Sequence, residues 1–151
     1  MPGESPMATL VTLRRLLLGI LLFGLVGTAT ELVLMGHDED AWQMIPLVTL
    51  AVAIGASVVM LARRASPPIR LFRGAMLLLI VSGATGTVLH YRANMEFKLE
   101  MDPSLSGFAL FSSVVRAKAP PALAPGNMAL LGLLGLACTF RLDGSSLSRN
   151  L

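Results

Sequence analysis

The sequence predicts an all-α integral membrane protein: a bundle of four transmembrane helices, with a short amphipathic outer helix between the third and fourth. Three observations predict this class. Of the 151 residues, 54% are apolar and only 14% are charged, which is unlike an ordinary soluble domain. The apolar residues form long runs of Leu, Ala, Val and Gly. Hydrocarbon offers no partners for backbone N–H and C=O groups, so such runs cross a membrane as helices.

A spanning helix needs about 20 mostly apolar residues, because the hydrocarbon layer is roughly 30 Å thick. Four segments meet this requirement within a single membrane domain of residues 1–151: 16–36, 42–61, 71–91 and 123–142. The first is a retained helix rather than a signal peptide, because its apolar pattern continues to Met35 without a good cleavage site. The fourth has the shortest purely apolar run, because Pro125 and Asn127 interrupt its beginning.

The distribution of Lys and Arg predicts the orientation. With four spans, both termini and the loop between the second and third segments share one side, which collects eight of the 12 basic residues. We therefore expect a plasma membrane protein with both termini in the cytoplasm. Because the basic residues are spread over span ends and short loops, the lipid bilayer explains them and nucleic acid is not a predicted partner.

Small residues within the spans predict where helices pack, because close backbone approach drives helix association in lipid. They contact either other helices of the chain or another subunit, and they are Gly19, Gly24, Gly27, Ala51, Gly55, Gly83, Gly86, Gly132 and Gly135. The single cysteine, Cys138, lies in the fourth apolar run, where a buried apolar role is expected.

The outer segment, residues 92–121, has two parts. Residues 95–101 alternate between apolar and charged side chains, which is typical of a strand that pairs with another protein's sheet edge; a helical continuation of the third span explains them equally well. Asp102 and Pro103 then resemble a helix N-cap and first turn, and apolar residues follow at helical spacing. We predict that this segment contacts another subunit through Met95, Phe97, Leu99, Phe108 and Phe111.

Candidate ligand or ion residues lie on the same predicted outer side. His37 follows the first span and His90 ends the third, so the topology brings two imidazoles to similar depth. Imidazole with thioether suits copper(I), imidazole with carboxylate suits zinc, and paired histidines ligate haem. No HxxxH or HExxH spacing occurs, so no cofactor is predicted outright. Solvation of the span ends also explains these polar residues.

Glu31 lies about five residues inside the end of the first span. An ionisable group at such a position is costly and therefore a functional candidate. The alternative is that its carboxylate reaches the headgroup region or accepts a hydrogen bond from His90, Thr87 or Arg92.

No catalytic signature is present: the chain has no GxSxG elbow, Walker loop or dinucleotide fingerprint. We therefore predict a non-enzymatic accessory or structural subunit of a larger membrane assembly, with other membrane-protein subunits as partners. The alternative is a small metal-ion or proton binder or transporter that uses Glu31, His37 and His90. A membrane enzyme acting on a lipid-soluble substrate is the third hypothesis.

Overall fold

The computed structural model describes residues 6–37, 39–63, 68–117 and 123–140. These residues form five helices and no strand: α1 Pro6–Leu34, α2 Ala41–Ala62, α3 Ile69–Met101, α4 Gly107–Val115 and α5 Leu123–Cys138. Helices α1, α2 and α3 are long and apolar enough to cross a membrane, and α5 is a shorter apolar helix. The prediction of an all-helical fold with long apolar helices able to span a membrane is confirmed at this level.

The bounds of α2 agree with the predicted span, whereas α1 begins earlier and α5 ends earlier than predicted. Helix α2 agrees with residues 42–61 to within a residue, because Asp40 caps it by accepting a 2.8 Å hydrogen bond from the backbone N–H of Gln43. Helix α1 begins at Pro6 instead of residue 16, so both Arg14 and Arg15 are helical. Helix α5 begins at the predicted residue 123 but ends at Cys138. Residues 141 and 142 lie outside the described part of the chain.

Four of the helices form a ring. Helix α1 packs against α2 and α5, helix α3 packs against the same two, and no diagonal pair packs together in the described chain. Large side chains that fill the interior include Leu21, Leu25, Leu50, Phe72 and Leu79. The outward faces stay apolar, with Phe23 on α1 82% exposed. Such faces are expected where lipid, rather than water, surrounds the helices.

The closest helix contact joins α3 and α5 and depends on glycine. A Cβ built on Gly83 would lie 2.8 Å from the backbone nitrogen of Ala129, and one on Gly132 would lie 2.7 Å from the carbonyl oxygen of Met76. A Cβ on Gly135 would also meet the Met76 side chain. At Gly83 and Gly132 the two backbones therefore approach to a distance that a larger residue would not permit.

The predicted small-residue faces divide into two groups. Close neighbours within the chain surround Gly24, Gly83, Gly86, Gly132 and Gly135. Open space surrounds Gly19, Gly27 and Gly55. Only the first group therefore belongs to contacts inside this bundle.

Polar bonds hold both ends of α5 to the ring. At its end, Arg73 donates to the hydroxyl and carbonyl oxygens of Thr139 at 3.1 and 2.7 Å, and Arg14 donates to the carbonyl oxygen of Phe140 at 3.2 Å. Near its start, the Asn127 side-chain amide donates to the Thr28 hydroxyl on α1 at 2.7 Å. Cations near the last carbonyls of a helix are favourable. We call this end of the ring the arginine end.

The strand alternative for residues 95–101 is wrong, because these residues are the last part of α3. A helix satisfies its backbone groups within the segment, so it needs no partner sheet. With 33 residues and a rise of about 1.5 Å per residue, α3 is about 50 Å long, well beyond a bilayer core of roughly 30 Å.

The predicted helix start at Asp102 is also wrong. Asp102 ends α3 by donating its N–H to the Lys98 carbonyl oxygen, and its carboxylate accepts from the Ser104 hydroxyl and N–H at 2.6 and 3.0 Å. Those bonds hold the pKa of the Asp102 carboxyl below its usual value. Helix α4 begins only after Ser106, which is extended and makes no capping bond with its side chain. The Asp102 carboxylate, which the sequence pattern predicted to cap a helix, therefore forms a local turn with Ser104 instead.

We expect Gly83→Ala to destabilise the bundle by about 1–3 kcal/mol, because its Cβ would displace the α5 backbone. Gly27→Ala is the matched control: its Cβ enters open space and alanine favours a helix. Thermal unfolding in detergent, followed by circular dichroism, measures both variants. Equal melting temperatures for Gly83→Ala and the wild type would contradict the glycine contact.

Candidate site at the histidine end

A glycine-dependent turn places His37 at the end of α1. Gly36 has a φ of +69°, its N–H donates to the Val33 carbonyl oxygen, and the His37 N–H donates to the Leu32 carbonyl oxygen, both at 3.0 Å. This pair of bonds is the Schellman motif, which needs a left-handed residue where Gly36 stands. The turn fixes the backbone of His37 directly beyond the last turn of α1.

His37 meets His90 across the ring. The centroids of the two imidazoles are 6.1 Å apart and their planes differ by 28°. The two sequence-distant histidines therefore share one end of the bundle, which we call the histidine end. Among the described residues neither imidazole makes a hydrogen bond.

Glu31 does not join the histidines. Its side chain is exposed on α1 and does not line the cavity described below. The predicted hydrogen bonds to it do not form among the described residues, and Thr87 instead donates to the Gly83 carbonyl oxygen at 3.0 Å. The structure thus brings together two of the three predicted ligand or ion residues and separates the third.

A cavity of about 600 Å³ lies beside the histidine pair. Its polar end is formed by His37, His90, Asp40, Gln43 and Trp42. Apolar residues of α2 and α3 form its walls, and the first residues of α5 close its far side. A mostly apolar cavity with a few convergent polar groups is typical of a small-molecule site.

Two polar residues in the cavity wall were missed by the sequence reasoning, Ser82 and Thr85 on α3. Ser82 and Thr85 are three residues apart, which places them on one side of a helix, and they precede His90 by eight and five residues. That spacing within an apolar run was the available signal. All three line the cavity, so this side of α3 carries three polar side chains among apolar ones in the histidine half of its length.

Among the described residues, no group of three or more His, Cys, Asp or Glu side chains is placed to hold a metal ion. Asp38, which follows His37, lies outside the described residues. The two imidazoles are the only predicted metal ligands that the described chain brings together at this end. Binding of copper, zinc or haem by these histidines therefore stays a hypothesis.

The predicted partner-contact residues lie on a hairpin formed by the end of α3 and α4. Helix α4 packs only against α3 in the described chain, through buried Val114 and a contact of 6.3 Å between the ring centroids of Tyr91 and Phe111. Met95 and Leu99 are half-buried along the same side of α3 as Tyr91. Phe97, Phe108 and Phe111 are 58%, 81% and 50% exposed.

No protein-family model matches the chain, and no curated protein or solved structure matches it significantly.

We expect cysteines placed at positions 37 and 90 (His37→Cys with His90→Cys) to be joined by a short bifunctional thiol reagent, because the two native rings nearly touch. Cys138→Ala provides the background, since the native cysteine is 2% exposed. Intact mass spectrometry measures the product, which gains one spacer and loses both free thiols. The matched pair Glu31→Cys with His90→Cys should react with two separate reagent molecules. The same product from both pairs would contradict the placement of Glu31.

Proposed function

We propose that the protein is a non-enzymatic subunit of a larger membrane assembly, and that it binds its partner through the α3–α4 hairpin. One observation carries the proposal: among the described residues α4 packs against no helix except α3, and its Phe108 is 81% exposed. Single exposed apolar residues are ordinary, but adjacent ones on a projecting element mark interaction sites. Aromatic residues at such positions dominate interface energies.

The partner in this proposal lies at or beyond the membrane surface. The part of α3 that follows His90 extends past the α1–α2 turn, because His37 on that turn is level with His90. The extension, from Tyr91 to Met101, is about 16 Å long at 1.5 Å per residue. Its exposed face combines Phe97 and Met101 with Glu96 and Glu100, which suits a protein surface better than hydrocarbon.

The proposed topology has four spans, with α5 as the fourth, and α4 as an amphipathic helix at the membrane surface. The 16 residues of α5 give about 24 Å, which a locally thinned bilayer accommodates. Arg14, Arg63, Arg70 and Arg73 gather at the arginine end, so that end and both termini are proposed to face the cytoplasm across the plasma membrane. A membrane-impermeant thiol reagent applied to intact cells should therefore label Phe108→Cys.

Phe108→Ala should weaken the assembly by about 2 kcal/mol, or about 30-fold, if Phe108 anchors the interface. Phe23→Ala is the matched control, because Phe23 is equally exposed (82%) on α1, within a span. Native electrophoresis of the tagged protein, extracted in mild detergent from its own membrane, measures the assembled fraction. A wild-type protein that migrates only as a 16.0 kDa monomer would contradict the proposal, as would equal assembly of the two variants.

The second candidate function is metal-ion or proton binding, favoured by the 6.1 Å separation of the His37 and His90 rings. Elemental analysis and an absorption spectrum of the purified protein test it. This candidate predicts about one equivalent of copper or zinc, or a haem band, that His37→Ala with His90→Ala removes. Equal metal content in the wild type and this double variant would exclude metal binding by the pair.

A further inference from the structure

The cavity at the histidine end is elongated. The stretch of α3 that lines it runs from Leu78 to Ala93, roughly 22 Å at 1.5 Å per residue. Its volume of about 600 Å³ lies within the usual range for small-molecule sites. The cavity thus combines one polar end with an apolar body that reaches toward the middle of the bundle.

The apolar part of the cavity opens sideways between α2 and α3. Three of its lining residues on these helices are about half exposed: Ile45 at 47%, Leu78 at 50% and Val81 at 60%. These residues belong to the surfaces of the two candidate spans. A molecule dissolved in the bilayer can therefore enter without crossing the polar end.

The charge of the lining disfavours an anionic head group. Asp40 is the only Asp, Glu, Lys or Arg among the described lining residues, and its carboxylate already caps α2. An anion would therefore meet a carboxylate with no Lys or Arg side chain among the described lining residues to offset the repulsion. A neutral head group avoids that repulsion.

The polar lining offers hydrogen-bond donors. Ring N–H groups of His37 and His90 and the side-chain amide of Gln43 lie at the polar end, with Ser82 and Thr85 below them. Hydroxyls in the spans commonly donate to a carbonyl oxygen of the preceding turn, as those of Thr28, Thr30, Thr49, Ser57 and Thr87 do. Within the described chain the hydroxyls of Ser82 and Thr85 make no such bond. Both are therefore free to donate to a ligand.

Three aromatic side chains lie at the polar end of the cavity. Trp42 is 77% exposed at the start of α2 and lines the cavity together with the two imidazoles. Aromatic faces favour offset stacking on another planar ring. The required head group is therefore neutral and planar, carries oxygen acceptors, and is attached to an apolar chain.

We propose that this cavity binds a lipid-soluble quinone. The two quinone carbonyl oxygens accept hydrogen bonds from the donors at the polar end and on α3, and the apolar tail lies along the opening between α2 and α3. The hairpin of α3 and α4 contributes only Ala93 to the lining. The quinone site is therefore independent of partner binding by Phe108.

The test uses the full-length protein in nanodiscs, with decylubiquinone as the probe. Trp42 is the only tryptophan in the chain, so its fluorescence reports directly on this cavity. We expect saturable quenching by decylubiquinone. Ser82→Ala with Thr85→Val should weaken binding by about three- to tenfold for each hydrogen bond lost, whereas Thr85→Ser should bind as the wild type does.

Thr30→Val is the matched control, because Thr30 lies on α1 outside the cavity and should not alter binding. Circular dichroism verifies that each variant is folded, and His90→Ala provides a second test should the α3 double variant unfold. Quenching that never saturates, or equal affinity in Thr30→Val and the donor variants, would overturn the proposal. Displacement of the quinone by equimolar oleate or dodecylamine would overturn the inference that the ligand has a neutral head group.

Discussion

The contact between α3 and α5 is the constraint on which the other features depend. In lipid, helices associate through close packing rather than the hydrophobic effect, and Gly83, Gly132 and Gly135 permit that packing here. The contact also fixes the register of the two helices. Pro125 lies against Gly86, and Thr139 is hydrogen-bonded to Arg73. Helix α5 therefore begins below the level of His90 and ends near the start of α3.

Helix α3 carries residues of both candidate surfaces. The cavity lies beside α3 at the histidine end, and Pro125 and Met128 of α5 belong to its lining. Because α3 continues past the same level to Met101, it carries α4 away from the ring. Helix α3 thus contributes to a cavity that opens between α2 and α3 and to an external surface, each with its own residues.

Much of the fold could be predicted from the sequence, since helix formation in apolar runs depends on local backbone bonding. The segment from residue 95 to residue 106 was harder to predict. Residues 95–101 alternate like a strand, yet they continue helix α3, because a helix needs no partner sheet. Asp102 accepts a hydrogen bond from Ser104 in a local turn and does not cap α4. In both places two local patterns compete. The alternation of side chains does not reveal how the backbone is satisfied.

By itself, the sequence determined that the chain is apolar, helical and membrane-embedded, and that His37 and His90 share one end. These properties follow from hydropathy and from the order of the spans, which are local or topological facts. Only the tertiary structure decided that Glu31 points away and that Ser82 and Thr85 line the cavity with the histidines. Those outcomes depend on the rotation of each helix about its axis, which packing at the glycine contacts sets and hydropathy alone does not encode.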